Sequence, residues 1–432
     1  MNKWAKILIL AAAAALLVRI HMEKKKQMGA GWAGYGKQLL GLGAVPPGRR
    51  HDLDELRFLA AVLVILVHSF QSGAAQLAAA GLAGGLGTGS GGALDGALGA
   101  GSGGGSGAWL WMFLTGAAGL GLCCNLLFVF LSGALLLPYR EESAGTFYRK
   151  RFSKVVIPLA AYYLFYLRRS GLFSFTPDSI GNALRTILSG PNELVPHFWL
   201  VYVLAGLYVG VPFLRRMLKA LPDCFLESLE RVIILGAAVQ TGLHLLGISL
   251  GINSFLLSWE GIFLLGYLWS REGSRKREWA ILAGGAASAA VIIWLFLNRT
   301  DASVVAANQS VFMILFASAV FIWFRKRRRS ENQRQKVWSV VRIGSRYSYS
   351  ILLIHWFMLF VVTEKHLHIG PMMFGGSWIL AGILLQSVTA LGLSLVFAVV
   401  FDQTMVVLAE WLWETAWGLW GKVTFYVRMK WK

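Results

Sequence analysis

Charge is scarce in this 432-residue chain: 14% of its residues are Asp, Glu, Lys or Arg, against 56% that are hydrophobic. A soluble domain carries about 25% charged residues, so a soluble globular class is excluded and a multi-span membrane protein is indicated. Acidic residues are the scarcer charge, 21 against 41 basic, which leaves a formal net charge of +20. In a soluble protein that imbalance would suggest a nucleic-acid partner, but in a membrane chain it must first be tested against topology. Cysteine is nearly absent. Of the three, Cys123 and Cys124 are adjacent inside an apolar run and Cys224 lies in a polar connection, so neither a disulfide framework nor a zinc site is indicated. No stretch reads as a separate soluble domain. No internal repeat is visible either, which disfavours inverted-repeat transporter folds.

What is present is a series of apolar runs of bilayer-spanning length. They predict an all-α, polytopic membrane protein of about ten spans, near 55–70, 109–137, 155–168, 198–214, 231–249, 255–270, 279–297, 304–324, 348–362 and 377–401. An eleventh apolar stretch, Ile7 to Val18, follows a basic start and resembles a signal peptide; retention as an extra helix is the favoured reading. Residues 1–50 then form an N-terminal hydrophobic segment with a basic stretch, 51–401 the transmembrane domain, and 402–432 a Trp-rich amphipathic tail on the cytoplasmic surface. Within the domain, 73–107 is rich in Gly, Ser and Ala and reads as a flexible external linker.

Lys and Arg are enriched in short cytoplasmic loops. With 19–50 placed there and the spans alternating, the basic runs 149–154, 215–219, 271–277 and 325–329 all fall on the cytoplasmic side. Only isolated cations such as Arg185 and Lys365 fall outside. The net charge is therefore a topology signal, and no nucleic-acid partner is expected.

The first firm span opens with His51-Asp-Leu-Asp-Glu-Leu-Arg-Phe58, in which Asp52 and Glu55 have capping-box spacing. Arg57 and His68 follow on the same helix. At about 100° per residue their separation falls within about 20° of three turns, so both project from one face, roughly 16 Å apart. Such a pair on an apolar helix either faces the bundle interior or snorkels to the two interfaces. In the connection Thr146-Phe-Tyr-Arg-Lys-Arg-Phe-Ser-Lys-Val-Val-Ile-Pro158, the cations Arg149, Lys150, Arg151 and Lys154 precede a helix expected near Pro158. They suit phosphate oxygens through charge and helix N-terminal amides, although positive-inside sorting alone explains their number. Glu260 and His355 are further ionisable groups at membrane depth, and Glu260 has the chemistry to orient or polarise a histidine. His197 and Trp199 lie at the outer mouth of the fourth span, where Trp199 suits an aromatic belt or a substrate contact. His366 and His368 lack nearby ligands for a metal, and no metal is expected.

Four features occur in order: Arg57-x10-His68; Leu127-Phe-Val-Phe-Leu-Ser-Gly-Ala-Leu-Leu136; the basic run 149–154 before Ile157-Pro158; and Ser350-x4-His355. Together they resemble the bacterial integral-membrane acyltransferase 3 family over roughly residues 51–401. The resemblance implies transfer of an acyl group, acetyl in the first instance, from cytoplasmic acetyl-CoA or another acyl-CoA to a hydroxyl of an acceptor across the bacterial cytoplasmic membrane. The acceptor class it implies is a cell-surface or cell-wall glycan. It assigns His68 and Arg57 to the catalytic centre and Arg151 and Lys154 to the donor. The residues' own positions add Glu260 in support of catalysis, Arg149 beside the donor cations, and His197, Trp199 and His355 as candidate substrate contacts. Two departures stand out: Lys154 replaces an arginine of the family's Arg-x-x-Arg, losing the bidentate fork, and Leu352 and Leu353 stand where a tyrosine is usual. A transporter using His and Glu as proton relays, or a non-catalytic scaffold, are the readings from other classes. Specificity is expected in the outer mouth and in loops 169–197 and 363–376.

Overall fold

A computed structural model describes residues 3–44, 49–81, 107–248, 255–298, 305–327 and 339–430. In chain order the helices are α1 Lys3–Gln27, α2 Trp32–Leu39, α3 His51–Ala79, α4 Ala108–Gly121 and α5 Cys123–Leu136. Then come α6 Ala144–Arg151, α7 Ile157–Arg169, α8 Pro177–Ser189, α9 Trp199–Ala220, α10 Asp223–Leu245 and α11 Trp259–Ser270. The series ends with α12 Arg275–Asn298, α13 Val311–Lys326, α14 Ser339–Trp356, α15 Ile379–Phe401 and α16 Val407–Lys430. No strand occurs among the described residues.

Six helical stretches are long and apolar enough to cross a membrane: His51–Ala79, Ala108–Leu136, Pro196–Ala220, Arg275–Leu297, Ser339–His366 and Gly376–Gly418. The chain is a multi-pass membrane protein. The other four expected spans are helical too, but α11 and α13 have only 12 and 16 residues, the helical run into α7 carries Arg149, Lys150, Arg151 and Lys154, and α10 carries several charges along its 23 residues. A straight helix needs about 20 residues to cross the hydrocarbon core.

Several boundaries differ from the sequence reading for local reasons. No capping box opens α3: Arg50 is the N-cap without a side-chain bond, and Asp52 instead pairs with the Arg50 guanidinium at 2.5 Å. The same helix runs nine residues past the expected end at Phe70, because Ala74 and Leu77 are helix formers that bury against Leu110, Trp111, Leu114, Ile379 and Ile383. The first residues of the expected linker are therefore helical; 82–106 lie outside the described residues. Nor does the last span stop at Phe401. It continues through a π-helical turn, Asp402–Val406, into α16.

The described residues group into two compact units. The larger comprises Arg50–Ser143 and Leu200–Ser394. Its helices approach closely where glycine allows. A Cβ on Gly133 of α5 would lie 2.0 Å from the Phe263 carbonyl oxygen of α11, and one on Gly266 of α11 would lie 2.2 Å from the Phe130 oxygen of α5. The two backbones therefore touch reciprocally, the small-residue packing typical of membrane helices. Several basic residues read as loop charges are here held by carboxylates. Arg215 is 3% exposed; it donates to the Leu136 carbonyl at the end of α5 (2.5 Å) and pairs with Glu142 (3.2 Å). Arg277 pairs with Glu230 at 2.5 Å and Arg325 with Glu278.

The smaller unit comprises Met1–Arg49, Ala144–Trp199 and Leu395–Lys432. Here α1 is tied down near its C-terminal end: His21 donates through Nε2 to the Gln403 carbonyl (2.8 Å), so in the neutral ring Nδ1 accepts from the Tyr35 hydroxyl (2.7 Å). Tyr162 donates to Asp402 at 3.0 Å, and Tyr162, Phe165, Phe397 and Phe401 form an aromatic layer.

The α5–α11 contact yields a direct expectation. Gly133→Val should lower thermal stability in detergent by about 1–3 kcal/mol or prevent folding, whereas Gly392→Ala, with nothing within 4 Å of its Cβ position, should be tolerated. Melting curves of the purified variants check it, and equal losses for both would contradict it.

Candidate active site

Two helices of the larger unit, α3 and α14, build the site. They run side by side in the same direction, because residues near their starts meet and residues near their ends meet. At the start, buried Asp54 accepts from Ser345 Oγ at 2.9 Å, and the Phe58 ring fills the space above Gly344, where any Cβ would clash at 2.1 Å. At the far end, the His68 ring stacks on His355, with centroids 5.3 Å apart and planes 16° from parallel. Trp356 meets His68 edge-on at 5.1 Å and Phe360 at 6.5 Å. A glycine at 344 and a serine at 345 are what let a helix carrying a phenylalanine and a carboxylate come this close.

His68 is oriented from its own helix. Gln71, one turn on, places its side-chain oxygen 3.1 Å from Nδ1. An amide oxygen only accepts, so Nδ1 carries the proton and Nε2 keeps its lone pair. That is the tautomer a general base needs. His355 is completely buried, and its Nδ1 lies 2.8 Å from the Leu352 carbonyl, which fixes that proton on Nδ1 as well. Two imidazoles with matching tautomers are thus stacked in an aromatic surround.

Arg57 lies near the other end of α3. Its Nη1 is 3.6 Å from Asp54 Oδ1, a long contact, and its side chain stays 30% exposed. Asp54 is thereby shared between Arg57 and Ser345. The sequence reading singled out Arg57 and His68 and gave Asp54 no role. Its position three residues before Arg57 was the available signal.

The remaining expected residues are distributed differently. Glu260 sits in the first turn of α11 and accepts from Ser258 Oγ, two residues away. Among the described residues, no carboxylate bonds to the His68 ring, and Gln71 is the side chain bonded to its Nδ1. His355, expected as a substrate contact, is brought against His68.

His197 and Trp199 belong to the smaller unit. His197 is 7% exposed and packs against Tyr166 and Phe198, with centroids at 5.8 and 4.7 Å. Trp199 opens α9 and is half-buried.

The cation cluster is also in the smaller unit, and one expectation for it fails. No helix begins at Pro158: α6, the π-helical segment Phe152–Val156 and α7 form one continuous helical run, so the amides near Pro158 are already bonded within it. Helix N-terminal amides are therefore not available beside these cations, and charge alone remains. Arg149 is exposed and Arg151 lies over the Phe147 ring at 5.6 Å. Lys154 pairs with Glu410 at 2.9 Å, and Ser153 donates to the same carboxylate oxygen at 3.2 Å. Glu410 stands more than 250 residues along the chain, in the tail read as a separate surface helix, so sequence offered no link. No group of three metal-ligating side chains converges among the described residues.

In sum, the larger unit offers an imidazole base in a defined tautomer within an apolar bundle, and the smaller offers exposed cations on one helical run. No curated protein and no solved structure matches this chain. A family model described as an acyltransferase domain matches residues 50–403. That stretch takes in Arg57, His68, the run 149–154 and His355, and with most of its length so matched the chain belongs to the integral-membrane acyltransferase 3 family.

Proposed function

We propose that this protein is an O-acyltransferase of the bacterial cytoplasmic membrane that moves an acyl group, acetyl in the simplest case, from cytoplasmic acyl-CoA to a hydroxyl of a surface or cell-wall glycan outside. The observation that carries the reading is His68 with its proton held on Nδ1 by Gln71 and its Nε2 left as a base. In this scheme Nε2 takes the proton of the acceptor hydroxyl as that oxygen attacks the thioester carbonyl carbon. The carbon–sulfur bond then breaks, the thiolate recovers the proton from the imidazolium, and the acyl ester stays on the acceptor. The stacked His355 and the rings of Trp356 and Phe360 keep the imidazole in place.

Donor binding is assigned to Arg149, Arg151 and Lys154, with Arg57 as a further cation. Lys154 remains 67% exposed although paired with Glu410. An exposed ion pair is worth only about 0–1 kcal/mol, so a phosphate competes readily for its ammonium group. The topology that goes with this reading has all ten spans crossing, α7, α10, α11 and α13 included, with the basic runs inside.

Replacement of the base should be decisive. His68→Ala in isolated membranes should reduce acyl incorporation by about 10²–10⁴-fold, and Gln71→Ala, which releases the tautomer, by about tenfold. Full incorporation by His68→Ala, measured with radiolabelled acetyl-CoA, would sink the assignment. For the donor, a combined Arg151→Ala and Lys154→Ala change should raise the KM for acyl-CoA by about tenfold or more. An unchanged donor KM would remove these cations from the binding role.

A further inference from the structure

Beyond Phe360 the helix carrying His355 widens. Phe357–His366 is a ten-residue π-helix, closed by bonds from Leu367 N to Val362 O and from Ile369 N to Thr363 O, both 2.9 Å. Runs of this kind are rare and tend to occur at functional sites. His368, in the left-handed region at φ 56°, ends it. The widened segment puts Glu364 into a polar cluster that the reading above does not use.

Three elements supply that cluster. Glu364 Oε1 accepts from Gln76 Nε2 of α3 at 2.7 Å, and its Oε2 accepts from Gln386 Nε2 of α15 at 3.1 Å. Gln76 Nε2 also donates to Ser72 Oγ at 3.1 Å, and Ser387, beside Gln386, donates to Ser69 of α3 at 2.9 Å. Ser72 and Gln76 lie one and two turns past His68, so the cluster begins about 6 Å along α3 from the proposed base and ends about 12 Å along.

Its chemistry differs from that of the carboxylates held by arginine. Asp54, Glu142, Glu230 and Glu278 are each paired with an arginine. Among the described residues, Glu364 is met by the neutral amides of Gln76 and Gln386 and the Ser72 hydroxyl. Interior carboxylates are ordinarily paired with a cation, and one held by neutral groups alone stabilises a fold poorly. A carboxylate has about four lone-pair positions, so about one remains after the bonds from Gln76, Gln386 and Ser72. Both amide nitrogens are turned toward acceptors, which leaves their carbonyl oxygens to accept as well. Gln386 is completely buried and its Oε1 has no hydrogen-bond partner; the same holds for Thr363 Oγ1, next to Glu364. The cluster is thus rich in acceptors and short of donors, and its complement is a molecule presenting several O–H groups.

We infer that Gln76, Glu364 and Gln386 form the acceptor subsite, holding neighbouring hydroxyls of a sugar ring so that another hydroxyl of the acceptor is presented to His68. The inference rests on the acyl-transfer reading, glycan acceptor included, and adds to it the residues that select that acceptor. A site built to bond substrate hydroxyls discriminates strongly against molecules lacking them.

The test uses the full chain in detergent, labelled acetyl-CoA, and alkali-deacylated surface polysaccharide from the producing cells as the acceptor probe. Glu364→Gln, and separately Gln76→Ala, should raise the KM for polysaccharide by about tenfold or more while the KM for acetyl-CoA stays within about twofold. Melting temperatures accompany both, and if Glu364→Gln does not fold, Gln76→Ala decides alone. An unchanged polysaccharide KM in a folded variant overturns the subsite, as does an equal rise in both KM values. His68→Ala separates the two readings. Transfer lost there but kept unaltered in Glu364→Gln leaves the acyltransferase standing without this subsite, and transfer retained in His68→Ala overturns the catalytic reading on which it rests.

Discussion

The arrangement depends on the parallel contact between α3 and α14. A buried carboxylate–hydroxyl bond, Asp54 to Ser345, fixes the two helices at one end, and stacked imidazoles fix them at the other. Because interiors are close-packed and not continuously deformable, a shift of one helix along the other by a single turn would separate both contacts together. The pairing therefore sets the register in which His68 meets His355, and with it the direction in which the Nε2 lone pair can act.

Around that contact, polarity is arranged by kind of partner. At the ends of the larger unit's helices, arginines meet carboxylates, and Arg215 additionally satisfies the Leu136 carbonyl at a helix terminus, where intrahelical partners run out. At the His68 level the partners are aromatic rings and one amide. Further along α3 they become amides and serine hydroxyls around a single carboxylate. Helices surrounded by hydrocarbon gain little from apolar burial against each other, so close backbone approach at Gly133 and Gly266 and these polar contacts carry the specificity of packing.

Much of this was legible in the sequence. Hydropathy gave the helical membrane class, and the spacing of Arg57 and His68 put both on one stripe of one helix; of the two, the His68 ring stacks on His355 of α14. What sequence could not supply were partners distant along the chain. Nothing near Lys154 points to Glu410, and nothing near His68 marks His355 as its stacking partner. Local patterns also misled where tertiary packing overrode them: Asp52 has capping spacing yet pairs with Arg50, and Pro158 resembles a helix start yet lies within a continuous helical run. The Gly-containing stretch after Phe70 looked like linker because its composition is poor in large side chains, but Ala74 and Leu77 find a surface to bury against.

The most direct measurement of the central claim is the stoichiometry of thiol release by the purified wild-type protein supplied with acyl-CoA and acceptor. The account predicts one free thiol for every acyl ester formed on the acceptor. Movement of solute or glycan across proteoliposomes with no thiol released would contradict it.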